Sequence, residues 1–140
     1  MNTSAQIWLG TEDSCYSTLT LLSRYLEDPT PYESRVNLFV GEDDEGGPTF
    51  VEMLADEIST DYGNVRVIDV NGPMVTQAGF MDLFGGTSYQ TIATALSKAV
   101  EADHVEEVVL SLNTPGGSAD GIFDLADTIK EVGALKPVTA

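Results

Sequence analysis

The stretch LSLNTPGGSADG, Leu110–Gly121, decides how this chain is read. Strand-forming residues run to Asn113, a Thr-Pro pair stops them, two glycines follow, and a helical pattern starts at once. Gly116 and Gly117 permit positive φ and a close approach by another backbone. In a parallel α/β sheet such a turn lies at the carboxyl end of a strand, where ligands gather. Two readings follow. In one the glycines supply only the geometry of a strand-to-helix turn. In the other their amides, at the entrance of a helix, hold an anion: a phosphate or the oxyanion of a tetrahedral acyl intermediate. The phosphate form has little in its favour. No Gly-Lys-Ser/Thr follows, and Ser118 stands where a dinucleotide fingerprint needs glycine.

Around this turn the second half of the chain alternates strand and helix. VRVIDVNG (Val65–Gly72) reads as a strand ended by Gly-Pro. FGGTSYQTIATALSKAVEADH then predicts a helix, with Thr87 or Ser88 as N-cap and an apolar stripe of Ile92, Ala95, Leu96, Ala99 and Val100. Val105–Asn113 is a nearly continuous apolar strand, the pattern expected when both sheet faces are covered. SADGIFDLADTIKEVG predicts a second helix with Ile122, Phe123, Ala126 and Ile129 inward, and Lys136–Ala140 starts another strand. This alternation predicts an α/β fold with a parallel sheet and right-handed crossovers. Stopping as a strand begins suggests a truncated or processed polypeptide, so the sheet is expected to be incomplete at its C-terminus.

The first half is less legible. Ser17–Asp28 places Leu19, Leu22 and Leu26 at helical spacing and stops before Pro29. Ser34–Gly41 reads as a short strand. Pro48–Ser59 reads as a helix with Pro48 in its first turn and Phe50, Met53, Leu54 and Ile58 on one face. STDYGN (Ser59–Asn64) reads as a turn cluster. It divides an acidic, mixed helix/strand extension, residues 1–64, suited to docking, from an α/β domain, residues 65–140. The sequence shows no internal repeat.

Twenty-three acids against six Lys and Arg give a net charge of -17, which repels phosphate backbones and argues against nucleic acid as a partner. GEDDEGG (Gly41–Gly47) reads as a solvated loop, because its carboxylates lack the alternation and distant Glu of a calcium loop. No metal or cofactor is expected. A single cysteine, Cys15, excludes an internal disulfide and reads as a small core residue. The N-terminus lacks the basic and apolar regions of a signal peptide, and no stretch reaches the roughly 20 apolar residues of a membrane span. These features fit a cytosolic or particle-bound protein that is neither secreted nor in a membrane.

Three features together resemble the S49 peptidase family, which includes signal peptide peptidase A and the prohead maturation proteases of tailed phages. They are a hydrophobic strand closing in Asn113-Thr114-Pro115-Gly116-Gly117, an Ile/Ala-rich helix, and Lys136-Pro137-Val138. The upstream strand with Gly72-Pro73 also fits, so the resemblance spans about residues 65–140. It implies a Clp protease/crotonase-like fold of ββα units and Ser–Lys dyad chemistry, in which the Lys acts as general base. It also implies that Gly117 gives a backbone N–H to an oxyanion hole while Gly116 shapes the approach. Ser118, Ala119 and Asp120 would border a cleft where substrate adds as a strand. The missing anchor and the extra N-terminal residues favour the phage type. That type implies scaffold and capsid proteins as substrates, a homo-oligomer, and a location in the host cytoplasm, procapsid or virion.

The departure from the family is as informative. The family's nucleophilic Ser lies beyond the Lys-Pro-Val strand and its phage-type Lys further on, so these 140 residues are expected to hold neither. Ser118 is not at the nucleophile position. Lys98 and Lys130 read as solvent-facing, Lys136 as opening the last strand, and His104 as a surface residue. The alternative is a non-catalytic structural protein, a processed remnant or degenerate paralogue held in a particle. An acyl-CoA enzyme of the crotonase type is disfavoured by the negative charge.

Overall fold

The computed structural model describes residues 8–10, 16, 19–20, 23–24, 26–28, 48–79, 82 and 85–140. The expected strand Ser34–Gly41, the acidic run Gly41–Gly47, Leu22 and Cys15 lie outside the described residues. In chain order the elements are β1 (Trp8–Gly10), α1 (Phe50–Glu57), β2 (Ser59–Tyr62), β3 (Val65–Asn71), β4 (Met74–Val75) and β5 (Thr87–Ser88). They continue with α2 (Tyr89–Glu101), β6 (Glu107–Asn113), β7 (Gly116–Ser118), α3 (Ile122–Leu135) and β8 (Val138–Thr139). Residues 16, 19, 20, 23, 24, 26 and 27 are helical, as the leucine spacing predicts, but Leu19 and Leu26 face solvent.

The chain is α/β, with one larger mixed sheet ordered β2-β3-β6-β8 and a smaller one ordered β1-β7-β4-β5. In the larger sheet β3 and β6 run parallel in register from Val65–Glu107 to Asn71–Asn113, and β8 adds parallel to β6. The strands at 65–71, 107–113 and 138–139 are thus where the apolar runs predict them. The STDYGN cluster departs from expectation. Ser59–Tyr62 is a strand, antiparallel to β3, and only Gly63 (φ 65°) and Asn64 make the turn. Thr60 and Tyr62 suit a strand, and a two-residue turn with glycine in the left-handed region is enough to reverse it. Asn64 then latches the turn to the start of β6: its carbonyl accepts from Glu106 N (2.8 Å) and its side-chain amide donates to Glu106 Oε2 (2.6 Å).

The helices are capped as their sequences suggest. Thr49 and Glu52 form a capping box on α1, so Pro48 lies just before the N-cap rather than in the first turn. Ser88, not Thr87, caps α2 by accepting from Thr91 N at 3.0 Å. Helix α2 packs Ile92, Ala95, Leu96 and Ala99 against Ile68, Val70, Val108 and Leu110 of the sheet, with Ala55 of α1 and Val132 of α3 at the flanks. These side chains form one core, and burying each large one contributes about 1.5–3 kcal/mol.

Two readings of facing fail for stated reasons. Helix α3 starts at Ile122, after Gly121 in the left-handed region (φ 81°), and its inward stripe is Ile122, Leu125, Ile129 and Val132. Phe123 is 81% exposed and Ala126 is exposed, because that stripe excludes position 123. In β6, Val108 and Leu110 are buried while Val109 is half-buried and Ser111 and Leu112 are exposed. Among the described residues the helices therefore cover one face of the sheet, and the apolar run exceeds what that face needs.

A repeat that the sequence hides is plain in the fold. Strand β3, the corner Gly72-Pro73, β4, the two-residue β5 and α2 are followed by β6, the corner Thr114-Pro115, β7 and α3, so the second unit differs only in having no counterpart of β5. Both large strands end in Asn, at 71 and 113, and both corners place Pro at the second position. Beyond Asn-x-Pro the two ββα units share little residue identity, since the same geometry accepts different apolar side chains.

Charges bind the hairpin to the rest. Arg66 grips Asp61 across β2–β3 with Nε–Oδ1 at 2.6 Å and Nη2–Oδ2 at 2.8 Å, and His104 Nε2 lies 2.7 Å from Asp61 Oδ2. The Arg66 hydrogen bond, and then that of His104, hold the Asp61 carboxyl far below the usual carboxylate range. A depressed folded pKa stabilises the fold above the unfolded value, about 3.9, and this is lost as pH falls toward the folded value. Asp61→Asn is expected to lower the urea midpoint at pH 7 and to flatten its decline between about pH 4 and pH 2. An acid limb as steep as the parent's would remove this role from Asp61.

Candidate functional site at the Gly116–Ser118 strand

The residues singled out in the sequence converge at β7. After Asn113 the chain turns through Thr114 and Pro115, and the Thr114 hydroxyl accepts from Gly116 N–H at 3.2 Å. Gly116 has φ 116°, in the region that favours glycine. Gly117 is required for a different reason: a Cβ there would lie 2.0 Å from the Met74 carbonyl oxygen. Both properties foreseen for the pair, positive φ and close backbone approach, are present, one on each glycine. The expected place of their amides is not. Gly116–Ser118 is a strand, and the helix entrance is three residues further on, at Gly121–Ile122. Pairing with β4 on one side and β1 on the other keeps these residues extended.

The three residues expected to border a cleft differ in position. Ser118 is fully buried, Ala119 half-buried and Asp120 exposed. Ser118 Oγ accepts from Asp120 N at 3.2 Å, and Thr76 Oγ1 donates to the Asp120 carbonyl at 2.9 Å, so the side chain of Ser118 closes a turn. Its carbonyl accepts from the Tyr89 hydroxyl. Tyr89 is 5% exposed, and burial raises its pKa above the ordinary tyrosine value, which keeps it a donor.

Tyr89 and Thr76 were not among the expected site residues. Tyr89 stands at i, i+3 and i+7 with Ile92 and Leu96, so the stripe of α2 extends back to it, and this spacing was the available signal. Thr76 carries no such signal, because its partner is 44 residues away.

One hollow borders the turn, and a second lies where β3 ends. An apolar groove of about 180 Å³ beside Thr114 is walled by Met74, Tyr89, Leu112, Ile122 and Leu125. The second, of about 250 Å³, is lined by Asp69, Asn71, Gly86, Thr87 and Asp82. Asp82 is 7% exposed and fully engaged: Oδ1 accepts from Ser88 N and Thr91 Oγ1, and Oδ2 from Gly79 N, each at 3.0 Å. It fixes the entrance of α2. No group of three or more His, Cys, Asp or Glu suited to a metal ion occurs among the described residues.

The charged candidates lie elsewhere. Lys136 Nζ donates to the carbonyls of Ala99 (2.9 Å) and Ala102 (2.8 Å), closing the C-terminal end of α2. Lys98 pairs with Asp56, and Lys130 lies 3.9 Å from Asp127. His104 is on the surface as expected, with Asp61 as its partner.

Fold and turn together define an α/β chain of two related strand–corner–strand–helix units, the second of which passes its corner into a strand that opens on two glycines. Over 77 residues, 54% of this chain, it is 39% identical to the head-tail preconnector protein GP5 of Enterobacteria phage P21. Over the same length it is 35% identical to the capsid assembly protease C of Escherichia phage lambda. The matched segment spans 15% and 18% of those relatives, so the chain accounts for less than one-fifth of either. No protein-family profile and no solved structure matches the chain. Among the described residues no helix is long and apolar enough to cross a membrane.

Gly117→Ala is expected to lower stability by about 3 kcal/mol or more, since backbone must move to admit the methyl. Gly133→Ala on the exposed face of α3, where an added Cβ meets nothing within 4 Å, is expected to raise it by about 0.5–1 kcal/mol. Equal effects in urea denaturation would exclude the close-approach role. Tyr89→Phe is expected to cost about 1–3 kcal/mol by leaving the Ser118 carbonyl without its donor.

Proposed function

We propose that these 140 residues are the N-terminal portion of a serine endopeptidase of the S49 family, of the phage head maturation type, that cleaves scaffold and capsid proteins during assembly. The observation that carries this reading is the 77-residue similarity to two phage head proteins, one of them named as a capsid assembly protease. The geometry of the glycine turn supports it. With Gly116 N–H held by Thr114, the Gly117 amide is the oxyanion donor, and such a donor contributes roughly 3–4 kcal/mol in the transition state.

Substrate pairs along the backbone of Gly116–Ser118, Ala119 and Asp120 border it, and the apolar groove beside Thr114 takes a side chain of the bound peptide. Ser118 contributes its main chain only, because its hydroxyl is committed to the turn. The nucleophile and the base come from residues outside this sequence. Docking is carried by the acidic residues before α1, since α1 and β2 belong to the core and the larger sheet; the protein works as a homo-oligomer without a cofactor, and its place is the host cytoplasm and the procapsid.

One observation favours a second reading. All three lysines of the chain are engaged away from the turn, which suits a structural protein held in a particle. The two separate cleanly. The polypeptide encoded by the full reading frame, incubated with its capsid and scaffold proteins, is expected to cleave them and to be labelled by a fluorophosphonate at one serine. Replacing that serine is expected to abolish cleavage. Neither labelling nor cleavage, with stable incorporation into heads, supports the structural reading instead.

A further inference from the structure

Strand β7 has two edges, and both are taken. Met74 of β4 lies opposite Gly117 on one. On the other, β1 runs antiparallel, with Trp8 opposite Ser118, Leu9 opposite Gly117 and Gly10 opposite Gly116. Among the described residues strand β1 is the last in its sheet, with β7 as its partner strand. The contact is a short extended segment laid antiparallel along a glycine-containing edge, which is the form taken by a peptide bound by strand addition. The chain fills its own peptide edge.

We infer that Trp8–Gly10 is a displaceable strap: an intramolecular occupant of the peptide-binding edge that must leave before a substrate segment can pair with Gly116–Ser118. The inference rests on the peptide-edge reading given under Proposed function. Two features make this edge, and not the other, the one that opens. Among the described residues strand β1 spans three and is bonded on one side, which places it at the low end of local stability. The β4 side is fixed by the Met74 carbonyl seated against the missing Cβ of Gly117. The strap also has the composition of a ligand. Ile7-Trp8-Leu9 is an apolar run within an otherwise mostly polar start, MNTSAQIWLGTEDS, and Gly10 ends it. Peptides of that kind, extended and apolar over three residues, are the class the edge accepts.

The test uses the full 140-residue chain carrying a specific protease site inserted after Thr11, folded first and then cut so that residues 1–11 can dissociate. The probe is a fluorescent synthetic peptide of residues 1–14. A tethered strap has an effective concentration on the order of 1 mM, so a probe binding at about 0.1 mM should bind about tenfold more tightly once the strap is cut and removed. Amide hydrogen exchange across residues 114–120 should rise on cutting and fall again when the probe is added. Equal probe affinity before and after cutting, or unchanged exchange at 114–120, overturns the strap. Because folding precedes cutting, loss of the strap cannot be confused with failure to fold.

The same cut in the full-reading-frame polypeptide separates the two claims. Hydrolysis of capsid protein that is indifferent to the cut leaves the peptidase reading standing and removes the strap. Strap release that restores probe binding, in a polypeptide that cleaves nothing, leaves the strap and removes the peptidase.

Discussion

The carbonyl oxygen of Met74 sits where any residue but glycine at 117 would place its Cβ, and the smaller sheet depends on that contact. A second contact of the same kind joins Gly72 to the carbonyl of Gly85, again 2.0 Å from an added Cβ. Backbone is thus packed directly on backbone at both places where the chain crosses from the larger sheet to the smaller. The larger sheet is held differently, by Ile68, Val70, Val108 and Leu110 under helix α2. The division is physical: side-chain burial supplies the stability, and glycine contacts supply the position of β7. A substitution in the first group lowers stability in proportion to volume lost, whereas one at Gly117 moves the site itself.

The negative surface acts on the same edge. With a net charge of -17, the chain offers few cations to a bound anion, and its lysines close helix α2 or pair with carboxylates. The donors at β7 are therefore uncharged amides. They suit a main chain or a transient oxyanion better than a phosphate, whose binding draws on counter-charge.

The parts of this fold that were legible in the sequence are those written in hydrophobic period. Strands at 65–71 and 107–113 and helix α2 follow from runs and stripes whose side chains make the core. Helix α3 was found with Ile122 and Ile129 inward as expected, but Leu125 and Val132 complete its stripe where Phe123 and Ala126 were expected to. The smaller sheet was not legible. Its strands have two or three residues, too few for a period, and their pairing joins residues as far apart as Trp8 and Ser118. At the site the glycines announced themselves through composition. Tyr89 and Thr76 did not, since they act through hydrogen bonds to residues 29 to 44 positions away, and Asp82 did not, since its partners Gly79, Ser88 and Thr91 follow neither the helix nor the strand period.

The paired ββα units carry one more consequence. They climb like treads on a spiral stair, each short strand landing beside the one before it. The first landing, β4, is walled in on both sides by β5 and β7, two strands anchored in the body of the protein. The second, β7, has such a wall on one side only. Of the two corners that share Asn-x-Pro, the earlier leads into a strand enclosed by β5 and β7, whereas the later leads into one whose outer edge is covered, among the described residues, by the three-residue β1.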